Sequence, residues 1–258
     1  MKQLNKRQDD ILSFAEKEGY VSVENLAKTF TVSQQTIRRD INYLSDHEFL
    51  VRTHGGAFYS SGVKNFAYKS RKDLASDEKR EIANAVAEII PHHSSIILNI
   101  GTTTERVAES LLNHQGLKVI TNNINIVNIF SHSNDAQVWL ACGKVRKSDS
   151  AVIGENTANY FKEFKVDYAI VGISAIDNDG SLMDFDRRES SVSKAIFENS
   201  RKLILVADDI KFQRSAPILT GNISEIDILV TNNQPSPEII DICNENNIKI
   251  IVTTSSNN

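Results

Sequence analysis

The stretch VSQQTIRRD (residues 32–40) follows one short helical pattern and begins another. Ser33 is a residue type that often caps a helix, because its hydroxyl accepts a hydrogen bond from an exposed backbone N–H of the first turn. Ile37 and Ile41 then recur at helical spacing, with two adjacent arginines between them. The stretch therefore predicts a short helix that presents glutamine and arginine side chains near its start.

Two further helical patterns precede this stretch. Apolar residues at helical spacing predict a helix over residues 5–18, which Gly19 ends, and a second helix over residues 23–30. Residues 31–32 form the turn before the third helix. This order predicts a helix-turn-helix, whose third helix enters the major groove of DNA. The residues predicted to meet base edges and phosphates are Ser33, Gln34, Gln35, Thr36, Arg38 and Arg39.

A pair of short strands is predicted after the third helix, over residues 49–51 and 57–59. Between them lies RTHGG (residues 52–56), whose glycines permit a tight turn with positive φ. Such a hairpin is a wing. It would carry Arg52 and His54 toward the DNA backbone or the minor groove.

The pattern V-S-x-x-T-I-R-R-D, followed by an apolar position and then by R-x-H-G-G-A, resembles the N-terminal signature of the DeoR family of bacterial transcriptional regulators. It covers most of residues 5–57. A pair of arginines alone would more often be an ordinary solvated helix face. The resemblance implies operator DNA as a partner, and a structural role for Asp40, which would pair with an arginine or cap a turn.

Charge is divided unevenly along the chain. Residues 1–75 carry 12 Lys and Arg against 9 Asp and Glu, a net +3, whereas residues 76–258 carry 17 against 24, a net −7. A positive end on a negative body would present one face to a polyanion such as DNA. The sequence predicts a DNA-binding domain over residues 1–59, a linker over residues 60–76 and a second domain over residues 77–258.

Beyond the linker, apolar runs typical of strands alternate with helical patterns. The predicted strands are residues 95–100, 117–120, 137–141, 168–173, 202–207, 226–230 and 248–252. This alternation predicts an α/β domain with a largely parallel sheet. Ligands of such sheets bind beyond the carboxyl ends of the strands.

Small polar residues stand at these strand ends. NIGTTTE (residues 99–105) places a glycine and three hydroxyls between a strand and a helix, where backbone N–H groups and the helix dipole could hold an anion. TNN (residues 121–123) and GKVR (residues 143–146) end two further strands. Each piece alone is more often an ordinary turn than a phosphate site.

Residues 76–258 also resemble the DeoR-family sensor domain, whose fold is related to that of ribose-5-phosphate isomerase. The resemblance implies that the G-T-T loop holds the phosphate of a phosphorylated sugar or polyol. It also implies that Lys211, in the D-x-x-K-F segment, lies near the effector, although Gln213 stands where the family usually has glycine. The predicted effector-binding residues are Gly101, Thr102, Thr103, Thr104, Asn122, Asn123, Gly143, Lys144, Asp184, Glu189 and Lys211.

An isomerase would require a carboxylate base to move a proton beside a carbonyl group, and a cation to stabilise the enediolate. Asp184, Asp186, Glu189 and Lys211 could be assigned these roles. We favour binding without reaction and expect neither catalytic residues nor a cofactor, because a protein that binds DNA requires its ligand bound rather than consumed. A repressor of a sugar or polyol operon is therefore expected. The alternatives are a sugar-phosphate isomerase with an appended DNA-binding domain and a module that scaffolds other proteins.

Location and assembly follow from simpler features. No run of about 18 apolar residues occurs to span a membrane, and the polar start MKQLNKRQDD lacks the apolar segment of a secretory signal. The cytoplasm is therefore expected. No Cys or His lies at a metal-ligand spacing, so no metal site is expected, and Cys142 and Cys243 are predicted to be buried small hydrophobes. A homo-oligomer, dimer or tetramer, is expected because two half-sites require two recognition helices.

Overall fold

The computed structural model describes residues 4–47, 49–53, 55–59, 68–131, 133 and 135–253. The chain divides into two compact units, Met1–Leu74 and Ala75–Asn258. His54 and residues 60–67 lie outside the described residues. Within the predicted linker of residues 60–76, Tyr68–Asp73 form a helix and a further helix begins at Ser76.

The N-terminal unit contains a helix-turn-helix and a small sheet. Its helices are α1 (Lys6–Glu18), α2 (Val23–Phe30), α3 (Gln34–Asp46) and α4 (Tyr68–Asp73), and its strands are β1 (Tyr20–Ser22), β2 (Leu50–Thr53) and β3 (Gly56–Tyr59). The strands form one antiparallel sheet in the order β1-β3-β2. The predicted three helices and wing hairpin are confirmed.

Local signals set the limits of these helices. Asn5 caps α1 in a reciprocal capping box with Gln8, and Gly19 ends the helix with a φ of 78°. Thr31 ends α2 in the left-handed conformation, with a φ of 53°, so that the chain turns before α3. Ser33 then caps α3 by accepting from the backbone N–H of Thr36.

The C-terminal unit is built on a seven-stranded sheet in the order β15-β14-β12-β9-β4-β5-β6, in which every pair is parallel. These strands are β4 (Ser95–Leu98), β5 (Lys118–Thr121), β6 (Gln137–Leu140), β9 (Val166–Gly172), β12 (Ser200–Val206), β14 (Ile228–Thr231) and β15 (Lys249–Val252). A parallel sheet in an α/β domain is confirmed.

Helices cover both faces of this sheet. They are α5 (Ser76–Ile89), α6 (Thr102–Ser110), α7 (Ile124–Phe130), α8 (Glu155–Phe161), α9 (Arg187–Glu198) and α10 (Pro237–Glu245). Because side chains alternate along a strand, Ile96 and Leu98 of β4 pack with α5 and α6, whereas Ile97 belongs to the core on the opposite face with Phe161 and Ile196. No helix in the described part of the chain is long and apolar enough to cross a membrane.

Smaller elements complete the unit. They are a hairpin of β7 (Lys144–Arg146) and β8 (Ala151–Ile153), an antiparallel sheet of β10 (Ala175–Ile176), β11 (Ser181–Asp184) and β13 (Ile218–Asn222), and 3₁₀ helices over Asp209–Gln213 and Ile223–Glu225. The predicted place of residues 143–146 at the end of a strand is wrong, because β6 ends at Leu140 and these residues open the hairpin. Gln213 ends a 3₁₀ helix, where no glycine is required.

The prediction that both cysteines are buried is half wrong. Cys243 is fully buried on α10, but Cys142 is exposed. Cys142 follows β6, which is the edge strand of the large sheet and also exposes Trp139 and Leu140. An edge strand has a neighbour on one side only, which leaves the residues after it less covered.

Candidate DNA-binding surface and effector site

The first turns of α3 present long polar side chains to the surface. Gln34, Gln35, Arg38 and Arg39 are all exposed. Ser33 and Thr36, by contrast, bond to each other through their hydroxyls at 2.9 Å as part of the cap. The exposed side chains are of the types that form bidentate contacts with adenine and guanine.

Asp40 fixes this helix to α1, as the predicted pairing with an arginine requires. Its carboxylate accepts from Arg7 Nε at 2.6 Å and from Gln8 Nε2 at 3.3 Å. The hydrogen bond to Asp40 raises the pKa of Arg7 above its ordinary value. Asp40 is 5% exposed, so it serves the packing of α3 rather than the outer surface.

A groove of about 670 Å³ lies beside the start of α3. Gln34 and Arg38 line it from α3, Asn25 lines it from α2, and Gly55 lines it from the wing turn. Gly55 has a φ of 91°, and no atom lies within 4 Å of a Cβ added there, so the turn conformation alone favours glycine. The groove therefore lies beside the start of α3 and the wing turn, the two elements predicted to meet DNA, and is also lined by α2.

Arg52 is held to the recognition helix. Its Nη1 donates to Asn42 Oδ1 at 2.8 Å, which ties strand β2 of the wing to α3. Arg52 and Asn42 are both exposed, and Asn42 was not among the residues predicted from the sequence. The prediction for His54 falls outside the described residues.

In the C-terminal unit, the predicted phosphate loop opens α6 at Thr102. Gly101 precedes the helix with a φ of 148° and offers no side chain to cap its first N–H groups. The Thr104 hydroxyl bonds to the carbonyl oxygens of Asn99 at 2.7 Å and of Gly101 at 2.9 Å. Thr104 therefore uses its hydroxyl proton to hold the loop. Backbone N–H groups at a helix start are of the kind that can bind an anion.

Asn123 lies next to this loop, and its side chain is used in hydrogen bonds to α6 and α7. It caps α7 by accepting from the backbone N–H of Asn125 at 2.9 Å, and its Nδ2 donates at 2.9 Å to Glu105, a buried carboxylate in the first turn of α6. Asn125 Nδ2 donates to the same Glu105 oxygen at 3.0 Å. These bonds join the starts of α6 and α7.

Asn122 is fully buried, and the two polar atoms of its side chain differ in their hydrogen bonding. Its Nδ2 donates to the Val152 carbonyl of β8 at 3.0 Å. Its Oδ1 has no hydrogen-bond partner among the described residues. The parallel register of β4 and β5 ends at the pair of Leu98 and Thr121, the residues that precede Asn99 and Asn122.

An ion-pair network surrounds Arg146 on β7. Its guanidinium bonds to Asp149 at 2.7 and 2.8 Å, to Glu189 at 2.8 Å and to Asp186 at 3.4 Å. Burial lowers the pKa of Arg146, but the hydrogen bond to Asp149 and the charges of Glu189 and Asp149 outweigh it and raise the pKa above its ordinary value. Arg188 also pairs with Asp186 at 2.9 Å.

Asp184 lies close to this network at the end of β11. It is 2% exposed and accepts from Ser174 Oγ at 2.7 Å. Burial raises the pKa of Asp184, while the Ser174 hydrogen bond and the positive charges of Lys211 and Arg146 act in the opposite direction. Lys211 and Arg146 therefore each lie within electrostatic reach of Asp184.

Several contacts bring the α6 loop, the β7–β8 hairpin and α9 together at the carboxyl end of the sheet. Asn99 Nδ2 donates to Ser193 Oγ of α9 at 3.0 Å, and Ile100 packs with Ala151 and Ile153 of β8. Lys144 is exposed on β7. Gly143 packs against Thr157 of α8.

Arg146, Asp149 and Ser174 belong to this site but were not predicted from the sequence. Arg146 stands in the quoted GKVR segment, three residues before Asp149, but this spacing is ordinary for a surface pair. Its bond to Glu189 spans 43 residues, which no local pattern can indicate. The described residues contain no group of three or more His, Cys, Asp or Glu that could hold a metal ion.

A winged helix-turn-helix unit followed by an α/β unit with polar strand ends defines a DNA-binding protein with a sensor domain. Residues 7–62 match the DeoR-like helix-turn-helix domain, and residues 74–233 match the DeoR C terminal sensor domain. The chain belongs to the DeoR family.

Relatives cover nearly the whole chain. It is 41% identical over 250 residues to the glycerol-3-phosphate regulon repressor of Escherichia coli (strain K12), covering 97% of this chain and 99% of the relative. The repressor CsqR of the same strain is 38% identical, covering 96% and 95%. Among solved structures, ribose 5-phosphate isomerase from Plasmodium falciparum covers 52% of each chain at 19% identity with a TM-score of 0.38, which is too low to indicate an activity.

Proposed function

We propose that this protein is a transcriptional repressor that binds operator DNA through α3 and the wing and responds to a phosphorylated sugar or polyol bound by its α/β unit. The observation that carries the proposal is the match of both units to the DeoR family, together with relatives named as repressors over nearly the full chain. A homo-oligomer in the cytoplasm is part of the proposal.

The DNA contacts are assigned to the exposed start of α3. Arg38 and Arg39 suit guanine or phosphate, and Gln34 and Gln35 suit adenine. The net charge of +3 over residues 1–75 supports this assignment, because Lys and Arg side chains displace the counterions condensed on DNA. Arg52, bonded to Asn42, would present the wing to the backbone.

The effector phosphate is assigned to the start of α6 and to Lys211. A helix start preceded by glycine offers backbone N–H groups and the positive end of the helix dipole to an anion. The positive charge of Lys211 acts at the neighbouring Asp184. The name of the relative at 41% identity makes glycerol 3-phosphate the first ligand to test.

Binding without catalysis is favoured by the state of the carboxylates that an isomerase would use. Glu189 and Asp186 are paired with Arg146, and Asp184 is buried and accepts from Ser174. A general base must reach the substrate proton directly or through one water. Carboxylates held in ion pairs are better suited to orienting hydroxyl groups.

The proposal is tested by selecting a duplex from a random DNA library with the full chain and measuring its affinity with and without glycerol 3-phosphate. We expect one enriched sequence, affinity that falls steeply with salt, and a change in affinity on adding the ligand. Failure to enrich any sequence would count against the DNA-binding role. Turnover of ribose 5-phosphate by the same preparation would favour the isomerase.

A further inference from the structure

Strand β6 forms one edge of the seven-stranded sheet and leaves apolar side chains in solvent. In the described part of the chain it pairs with β5 alone. Trp139 is 36% exposed and Leu140 is 42% exposed. Edge strands of soluble proteins are usually protected by charged side chains, by proline or by a covering element. Residues 136–143 (AQVWLACG) contain neither a charged residue nor a proline, so β6 lacks the first two kinds of protection.

The exposed apolar side chains of β6 lie on both faces of the sheet. Trp139 pairs with Ile120 of β5, which belongs to the core that contains Phe161. Leu140 lies on the opposite face, because side chains alternate along a strand, and it shares that face with Val138. A helix or a ligand on one face would cover only one of the two exposed side chains. An added strand covers both, because its own side chains continue both faces.

The backbone of β6 also offers hydrogen-bonding groups to a further strand. The N–H groups of Gln137 and Ala141 donate toward β5, at 2.9 and 2.8 Å. Because the backbone groups of successive residues point to alternate sides of a strand, those of Val138 and Leu140 point away from β5. No described strand pairs with them there. They present donors and acceptors in the spacing that an antiparallel neighbour requires.

The opposite edge of the same sheet is better protected. It is strand β15, which begins with the charged and exposed Lys249. Its two isoleucines are half-buried, Ile250 against one core and Ile251 against the other. Val252 at its end is 37% exposed. The apolar, uncharged edge is therefore β6, and it is the edge that calls for a covering partner.

A second copy of the chain fits the β6 edge. Antiparallel pairing about a twofold axis at Trp139 places Val138 of each copy opposite Leu140 of the other. The outward N–H and C=O groups of both residues then pair in both copies. The two Trp139 rings lie opposite each other, and aromatic cross-strand pairs stabilise a sheet.

Charges at the ends of β6 favour the same arrangement. Asp135 is exposed just before the strand, and Lys144 is exposed beyond its end. Antiparallel pairing places Asp135 at the end of the second strand that leads to the partner's Lys144. Opposite charges therefore come near each other at both ends of the paired strands. Parallel pairing would instead bring like charges together.

We propose that two copies of this protein join through β6, whose strands pair antiparallel and make one continuous sheet across the twofold axis. The partner of this surface is a second copy of the chain. The inference rests on the proposed homo-oligomer, since it names the surface through which the copies join.

The first test is the mass of the assembly, measured by sedimentation velocity on the full chain over a range of concentrations. Leu140→Lys gives β6 the kind of side chain that protects an edge strand and removes an apolar contact. We expect its mass to fall to about half of the parent's or less. Val252→Lys, on the opposite edge at a similar exposure, is the matched control and should keep the parent's mass. Melting temperatures establish that both variants are folded.

A charge reversal tests the antiparallel register. Asp135→Lys places like charges at both ends of the paired strands and should raise the dissociation constant of the assembly by about threefold or more. Adding Lys144→Asp to the same chain restores opposite charges and should return the constant to that of the parent. A variant that only disturbed the folding of one copy would not be rescued in this way.

Tryptophan fluorescence reports on the same surface, because Trp139 is the only tryptophan of the chain. Its ring is shielded from water in the paired state and enters water when the copies separate. We expect its emission to move to longer wavelength on dissociation, at the concentrations where the mass falls.

A parent that is monomeric at every concentration would refute the proposed homo-oligomer and the inference with it. A parent that assembles, while Leu140→Lys keeps the same mass, would overturn the inference alone. Another surface would then join the copies, and other residues or a different protein would cover β6. Trp139 emission that stays constant while the mass falls would overturn the inference as well.

Discussion

The starts of α3 and α6, which we propose bind DNA and a phosphate respectively, are capped in opposite ways. Ser33 caps α3 by accepting from the Thr36 N–H, and long side chains such as Arg38 are exposed on the helix surface. Gly101 leaves α6 uncapped by any side chain, and its threonines are buried. Long, exposed side chains can adapt to the base edges and phosphates of DNA. Backbone N–H groups fixed at a helix start suit one small anion.

The largest effect is expected at α3. Replacing both Arg38 and Arg39 by Ala should weaken specific DNA binding by about 1–3 kcal/mol for each arginine that forms a bidentate pair with a base. Fluorescence anisotropy on the selected duplex measures this change. Ligand binding by the α/β unit should be unaffected. Unchanged operator affinity in the double variant would remove α3 from the interface.

A smaller loss is expected at α6. Lys211→Ala should weaken binding of glycerol 3-phosphate by about tenfold or more, because a charged hydrogen-bond donor to phosphate is worth about 1.5–3 kcal/mol. Thr102→Val is a companion change in the same loop. The readout is the ligand-induced rise in melting temperature. Lys194→Ala, exposed on α9, is the control. A normal ligand response in both variants would place the phosphate elsewhere.

The contribution of the Ser33 cap can be measured as a change in the free energy of unfolding. Ser33→Ala should destabilise the N-terminal unit by about 1 kcal/mol, whereas Ser33→Gly should cost only a few tenths. The reason is that alanine provides no acceptor for the Thr36 N–H, while glycine exposes that group to water. Urea unfolding followed by circular dichroism measures the difference. Equal losses in the two variants would mean that Ser33 is not acting as a cap.

The smallest effect is a pH dependence at Asp184. Burial raises the pKa of Asp184, so its contribution to stability is greatest below the ordinary value of 3.8 and falls as pH rises through the folded pKa. Asp184→Asn lacks this loss. Its melting temperature should therefore improve relative to the parent as pH rises above 3.8.

The opposite sign is expected at Asp186. Its hydrogen bond to Arg188 lowers the pKa of Asp186, so this residue contributes stability above 3.8 that is lost as pH falls through the folded pKa. The melting temperature of Asp186→Asn should therefore fall furthest below that of the parent at the higher pH. The same trend in both variants would contradict the two assigned environments.

The sequence alone determined the elements whose signals are local. The N-terminal helices, the wing and the seven parallel strands follow from hydrophobic period, cap residues and glycines, which act within a few residues of one another. Predicted boundaries still shifted, since the strand predicted over residues 95–100 ends at Leu98, before the loop in which Gly101 has a φ of 148°.

Only the tertiary structure decided which charged groups meet at the candidate effector site. Strands β7 and β8 have three residues each, too few for a periodic signal, and they bring Arg146 to Glu189 across 43 residues of sequence. Whether Asn122 Oδ1 finds a donor, and whether Asp184 lies in water or among apolar side chains, depends on neighbours supplied by other strands. Burial and ion pairing are properties of the packed sheet end, because dielectric surroundings and charge partners are set by distance in space rather than along the chain.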